Sequence, residues 1–264
     1  MDSRPIGVFD SGLGGLTVVR QIKKILPREN IIYLGDTARV PYGTRSKKIV
    51  TKFALEDSRF LEKKNVKCIV IACNTASSLA SLEVKKASKV PVFDIVSSGS
   101  DLSNFPGKVK KIGVIGTSGT INSHAYKKSL SSNKRSSKVY EIACPLFVPF
   151  IEENEVSGSL INLLVAKYLK NLRNKNLELI ILGCTHYPLI KDSINKFMGK
   201  KIELVDPGVS LAKTLSLYLE NNKMLNNKGN GKVNYHLTDL NDRFVKVAEK
   251  FLGEKINDIE VVDL

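Results

Sequence analysis

The chain is expected to fold as two similar doubly wound α/β domains related by a pseudo-two-fold axis, with the functional site in the cleft between them. Three observations predict this. Apolar strands alternate with amphipathic helices along most of the 264 residues, the pattern of a parallel sheet covered by helices on both faces. The segment Ile6-Gly7-Val8-Phe9-Asp10-Ser11-Gly12 is echoed by Ile112-Gly113-Val114-Ile115-Gly116-Thr117-Ser118, so the first half of the chain repeats in the second. Each repeat is followed by a hydrophobic strand that ends on a cysteine and opens a helix, in Ala72-Cys73-Asn74-Thr75-Ala76-Ser77 and in Gly183-Cys184-Thr185-His186-Tyr187-Pro188. Ligands of open α/β sheets bind outside the carboxyl ends of the strands. Two such domains facing each other would trap a small molecule between Cys73 and Cys184.

Taken in order, Ile6–Asp10 reads as a buried strand, Leu16–Leu26 as a helix stopped by Pro27, and Asn30–Leu34 as a strand. Lys47–Lys63 follows as a helix, Val66–Ala72 as a strand and Ala76–Lys86 as a helix beyond Cys73. Ser97–Gly107 gathers Ser, Gly, Asp, Asn and Pro and reads as a linker. A second series brings strands Lys111–Ile115 and Lys138–Ile142, helix Ser159–Leu172 and strand Leu177–Leu182. A helix follows Pro188, proline being suited to a first helical turn. Asp206-Pro207-Gly208 marks a return crossing, after which a helix at Leu211–Leu219, a loop at Asn221–Gly231, a strand at Val233–Leu237, a helix at Asp242–Leu252 and a last strand complete the first domain. The expected domains are therefore 1–97 with 208–264, and 98–207.

Composition narrows the function classes. With 42% hydrophobic residues the chain can bury a full core, which argues against disorder. Four scattered cysteines (68, 73, 144 and 184) and no basic-then-apolar segment in Met1–Asp10 predict a reduced, cytoplasmic protein. The longest apolar stretch, Leu160–Leu169, is interrupted by Lys167 and is too short to span a bilayer. A formal net charge of +15 invites a nucleic-acid reading. The lysines are nevertheless scattered over helix faces and loops, and the arginine forks and aromatic platforms that read bases are sparse. Duplex binding is expected to be weak and non-specific.

The chemistry-bearing positions each carry a bland alternative. A thiol that opens a helix feels the partial positive charge of the helix start, which favours the thiolate, whereas a cysteine deep in a strand is an inert small hydrophobe. Position therefore sets Cys73 and Cys184 apart from Cys68, inside a strand, and Cys144, which closes one. A zinc site from Cys73, Cys184 and His186 lacks any C-x-x-C pair to support it. The turn Asp10-Ser11-Gly12-Leu13-Gly14-Gly15 lacks the third glycine of a dinucleotide fingerprint, Thr17 standing in its place, and no Gly-Lys-Ser/Thr follows. Asp10 either binds an ammonium group or orients a neighbouring base, or the turn is structural and Ser11 caps a helix. The loop Gly35–Gly43 is either a connection or a wall of the site. His186 could share a proton with Cys184 or simply pack, and Glu152 is an exposed helix start or a buried acid.

Five motifs together are similar to one family. Asp10-Ser-Gly-x-Gly-Gly, Gly35-Asp-Thr-Ala-Arg-Val-Pro-Tyr-Gly, Ala72-Cys-Asn-Thr-Ala-Ser, Pro145-Leu-Phe-Val-Pro and Gly183-Cys-Thr-His-Tyr-Pro occur in the order and over the span found in glutamate racemases. The resemblance implies a cofactor-independent enzyme, a homodimer, that interconverts L- and D-glutamate and supplies D-glutamate for peptidoglycan. It implies that Cys73 takes the proton of D-glutamate and Cys184 that of L-glutamate, with Asp10 assisting Cys73, and His186 and Glu152 assisting Cys184. It implies further that Asp10, Ser11, Pro41, Tyr42, Gly43, Asn74, Thr75, Thr185 and His186 hold the substrate, with Thr117, Ser118 and Thr120 of the matching turn. No metal ligand and no pyridoxal lysine motif is recognisable. Other readings are a racemase for aspartate or a hydantoin, a basic nucleic-acid-binding protein, and a thiol-redox protein, the last without its usual C-x-x-C pair.

Overall fold

A computed structural model describes residues 2–101, 109–132, 137–240, 242–256 and 258–264. In the first part of the chain, strands β1 (Ile6–Asp10), β2 (Ile31–Gly35), β3 (Cys68–Ile71) and β4 (Val92–Asp94) alternate with helices α1 (Leu16–Ile25), α2 (Lys47–Lys63), α3 (Asn74–Ala87) and α4 (Ile95–Gly99). The second part holds β5 (Lys111–Gly116), α5 (Ser118–Ser123), α6 (Ala125–Ser132), β6 (Lys138–Ala143), α7 (Phe147–Glu152), α8 (Ser159–Arg173), β7 (Leu179–Gly183), α9 (Lys191–Met198) and β8 (Glu203–Val205). The chain closes with α10 (Pro207–Asn221), β9 (Val233–Leu237), α11 (Asp242–Leu252) and β10 (Ile259–Val261).

Two parallel sheets result, in the orders β10-β9-β2-β1-β3-β4 and β6-β5-β7-β8. The repeat noticed in the sequence is a repeat of topology: β1 lies between β2 and β3 as β5 lies between β6 and β7. Strand β1 is buried on both faces, Ile6 and Val8 on one side and Phe9 on the other, as the two-residue period of a strand requires. Helices α2 and α3 pack together against the Phe9 face, while α1, α10 and α11 associate on the opposite one. At the amino-terminal edge, buried Lys67 donates to Glu29 (2.5 Å), the Asp2 carbonyl (3.0 Å) and the Met224 carbonyl (2.7 Å). All three ammonium hydrogens are used there, and the Asn221–Gly231 loop is tied to the sheet far from the strand ends that matter for function.

Several sequence expectations need correction. The linker expected over Ser97–Gly107 begins as the end of α4, because Asp94 caps that helix by accepting from the Ser97 amide (2.9 Å) and buries Ile95 and Val96 beneath it. Positions 102–107 lie outside the described residues. Strand β3 is shorter than Val66–Ala72, and α3 begins at Asn74 rather than Ala76 because the Cys73 sulfur itself caps it, accepting from the Ala76 amide at 3.4 Å. Asp206-Pro207-Gly208 is the start of α10, with Asp206 accepting from the Gly208 amide and proline in the first turn. Pro188 lies in a short 3₁₀ turn, Tyr187–Ile190, that precedes α9. Helices α5, α6 and α7 and the three-residue strands β4 and β8 lie beyond the elements that the sequence pattern predicts. No helix among the described residues is long and apolar enough to cross a membrane.

Candidate active site

The ends of β1 and β3 in one sheet and of β5 and β7 in the other open onto a single cavity of about 240 Å³. Cys73 lines it from the first sheet and Cys184 from the second. Around them stand Ser11, Pro41, Tyr42, Gly43, Asn74 and Thr75 on one side and Thr117, Ser118, Glu152, Thr185 and His186 on the other. Two expected residues do not line it. Asp10 is fully buried behind the cavity, and Thr120, 1% exposed, is engaged with Thr75 and Thr117 instead. Conversely Val40, Pro145, Val148 and Pro149 add apolar lining to which the sequence reading assigns no role, three of them from the motif Pro145–Pro149.

Close approach of the two halves shapes this cavity. A Cβ added at Gly14 would lie 2.1 Å from Thr185 Oγ1, and one at Gly43 would lie 2.9 Å from the Thr117 Cβ. Glycine is needed at both places because another chain segment occupies the space of a side chain. The hydroxyls of Thr75 and Thr117 meet at 2.9 Å across the same boundary, and Thr17 donates to the Thr185 carbonyl at 3.0 Å.

The wall Gly35–Gly43 is held by a polar network. Arg39 donates from Nε to both Asp36 oxygens (2.8 and 2.6 Å), from Nη2 to Asp57 (3.0 Å) and from Nη1 to Glu56, while its guanidinium covers the Phe53 ring. The Tyr42 hydroxyl reaches Asp36 and Asp57 within that network. The loop is thus a built wall, and its Asp-Thr-Ala-Arg run serves to hold Val40–Gly43 against the cavity.

The two thiols have different neighbours. Cys73 is 5% exposed; burial first, and the Asp10 carboxylate second, push its thiol up to about 12. Its contacts with Ser11 (3.5 Å) and the Ala76 amide act in the opposite direction, as expected of a helix start, but burial outweighs them. The helix start alone favours the thiolate and the sequence leaves the resting state of the two thiols open; in the folded site burial favours the protonated form of Cys73. Asp10 Oδ2 accepts from the Gly12 amide at 3.1 Å, whereas Oδ1 has no hydrogen-bond partner among the described residues. Burial raises the Asp10 carboxyl and the charge of His186 draws it back down.

Beside Cys184, His186 Nδ1 stands 3.8 Å from the sulfur and Nε2 3.0 Å from Glu152 Oε1, with the Phe251 ring packed edge-on against the imidazole. Burial alone would lower this histidine, yet its bonds to Cys184 and Glu152 raise it to about 10. Both ring nitrogens then carry hydrogen at neutral pH and both donate. A proton NMR titration of the imidazole is expected to find its midpoint near 10 instead of near 6.5, and Glu152→Gln to bring it down. A midpoint near 6.5 in the parent chain would remove the imidazolium from the site. Because the folded value is raised, the stability this pair contributes is fully present below about 6.5 and is lost as pH climbs through about 10.

Comparison with known proteins places this architecture. Residues 6–215 match the family model described as Asp/Glu/Hydantoin racemase. A glutamate racemase of Thermoanaerobacter pseudethanolicus is 41% identical over 264 residues, covering 100% of this chain and 99% of its own. The crystal structure of a glutamate racemase from Francisella tularensis in complex with D-glutamate is 43% identical, with a TM-score of 0.94 over 100% of this chain and 98% of that one. One from Thermus thermophilus in complex with β-chloro-D-alanine is 38% identical, with a TM-score of 0.91 over 100% of this chain and 99% of that one. The chain belongs to the Asp/Glu/Hydantoin racemase family and groups there with proteins named glutamate racemase.

Proposed function

We propose that this protein is a glutamate racemase, an isomerase that interconverts L- and D-glutamate with two cysteines as its bases. The observation that carries the reading is one small cavity into which each sheet presents a thiol just beyond a strand end, Cys73 as the cap of α3 and Cys184 in the turn after β7, which opens no helix, among hydroxyls and amides from both halves. A cavity of about 240 Å³ suits a small molecule and lies below the ~300–1,000 Å³ range of drug-sized pockets. In one direction Cys184, as thiolate, takes the α-proton of L-glutamate while the Cys73 thiol delivers its own proton to the opposite face, giving D-glutamate. In the other direction Cys73 takes the proton and Cys184 delivers one. Each turnover leaves one sulfur protonated and the other not, so protons balance once solvent restores the starting state.

The α-proton is barely acidic, and the adjacent carboxylate already carries charge. Negative charge building at Cα and that carboxylate is met by donors fixed in advance, from Ser11, Thr75, Thr117, Ser118 and Thr185, in a site with little room for water, while Asn74 holds a substrate carboxylate in ground and transition state alike. His186, as imidazolium, places a cation beside the Cys184 sulfur. Asp10, with an oxygen otherwise unpartnered, is suited to receive the Cys73 proton when that residue must act as base. Tyr42 and Gly43 complete the substrate wall. The enzyme would act as a cytoplasmic homodimer of domains 1–97 with 208–264, and 98–207, and would supply D-glutamate for peptidoglycan.

Incubation of the purified chain with L-glutamate and no added cofactor is expected to yield D-glutamate, measured by chiral chromatography. Activity is expected to survive exhaustive dialysis against a chelator and treatment with a carbonyl reagent. Absence of racemisation, or faster turnover of aspartate, would overturn the substrate assignment. Loss restored by zinc or pyridoxal phosphate would overturn cofactor independence.

A further inference from the structure

Asn74 directly follows Cys73 and opens α3, and its side-chain amide has two ends in different surroundings. Oδ1 accepts from the Tyr126 hydroxyl at 2.6 Å, a short bond across the boundary between the two halves. Nδ2 is buried without a partner among the described residues, although Asn74 lines the cavity and is only 2% exposed. A buried amide hydrogen pair with nothing to bond is costly, on the order of 1–3 kcal/mol, unless a ligand takes it up.

Tyr126 lies on α6, 1% exposed, and burial pushes its phenol well above the ordinary tyrosine value. It therefore keeps one hydrogen to donate. That hydrogen decides which way the amide faces. A carboxamide free to turn would present its oxygen to the cavity as readily as its nitrogen, and an oxygen there would repel a carboxylate. The Tyr126 ring also lies against Gly183, where an added Cβ would come within 3.2 Å of its Cε2. Gly183 immediately precedes Cys184, so one side chain touches the residue after the first thiol and the residue before the second.

We propose that Tyr126 is a positioning residue for the substrate: by donating to Asn74 Oδ1 it holds Asn74 Nδ2 as the donor to a substrate carboxylate. It acts through Asn74 and does not touch the reacting atoms. The inference rests on the glutamate racemase reading, and the test separates the two. Parent turnover of glutamate is measured first; its absence overturns the racemase reading and this inference with it. With an active parent, Tyr126→Phe is expected to raise KM for both enantiomers about tenfold, the loss of one buried hydrogen bond, while kcat stays within about threefold. The same change made on Asn74→Ala is expected to leave KM where Asn74→Ala alone puts it. A merely structural tyrosine would lower stability equally in both backgrounds without that dependence. In the free protein the Asn74 side-chain ¹⁵N resonance, assigned by its loss in Asn74→Ala, is expected to move in Tyr126→Phe. Equal KM penalties with and without Asn74, a fall confined to kcat, or an unmoved resonance would overturn the proposal while leaving the racemase reading intact.

Discussion

Replacing either Cys73 or Cys184 by serine is expected to lower racemisation by about 10²–10⁴-fold, the usual worth of a positioned proton-transfer group. Both directions should fall together in each variant, because a residue that is the base for one enantiomer is the acid for the other. Serine is chosen because it preserves the local structure. At position 73 the hydroxyl can still cap α3 by accepting the Ala76 amide that the sulfur accepts now, so the fold should survive. What serine cannot do is ionise at an accessible pH. The two remaining cysteines make the control: Cys68 and Cys144 are fully buried and line no part of the cavity, and burial holds Cys68 near 12. Cys68→Ala and Cys144→Ala are expected to cost stability on the order of 1 kcal/mol and to leave turnover near the parent value. Chemical denaturation and initial rates from each enantiomer read the two effects separately. Near-normal turnover by either serine variant would contradict the two-thiol assignment.

The contrast among the four cysteines also shows which parts of this molecule are legible from sequence. Positions after a buried strand are legible because strand and helix periodicities fix where one ends and the other begins, and a parallel sheet gathers all such ends on one edge. Hence the cavity unites Ser11, Tyr42, Cys73, Thr117 and Cys184, which are distant in sequence. Strands β4 and β8 are not legible because three residues carry too little periodicity to register. Helices α5 and α6 were hidden by a run rich in Ser, Thr, Asn and Lys; α5 starts where it does because Thr117 caps it, accepting from the Thr120 amide at 3.3 Å. Burial is the harder quantity. The sequence shows the helix start that favours a Cys73 thiolate but leaves the resting state open, because the opposing effect, enclosure of the sulfur, exists only in the folded site. Tyr126 carried no local signal, since its role depends on a contact with Asn74 that exists only when the two halves are packed together.

In heavy water the two-base geometry makes a prediction with an all-or-none readout. If Cys73 and Cys184 address opposite faces of Cα, the proton removed by one stays on that sulfur while the other delivers a deuteron that came from solvent. Product formed early from L-glutamate should therefore be D-glutamate carrying deuterium at Cα, and the L-glutamate recovered at the same moment should retain protium. Starting from D-glutamate should give the mirror result. For the direction from L-glutamate, the burial that raises the Cys73 thiol favours the protonated form needed to deliver hydrogen. A single base serving both faces would return the original proton to some of the product, or label both enantiomers together through a shared carbanion. Reactions from each pure enantiomer, stopped well before equilibrium and separated for mass analysis, distinguish these cases. Substantial protium in the product, or early deuterium in the remaining substrate from both directions, would mean that the two thiols do not act as a facing pair, whatever each contributes to rate when replaced singly.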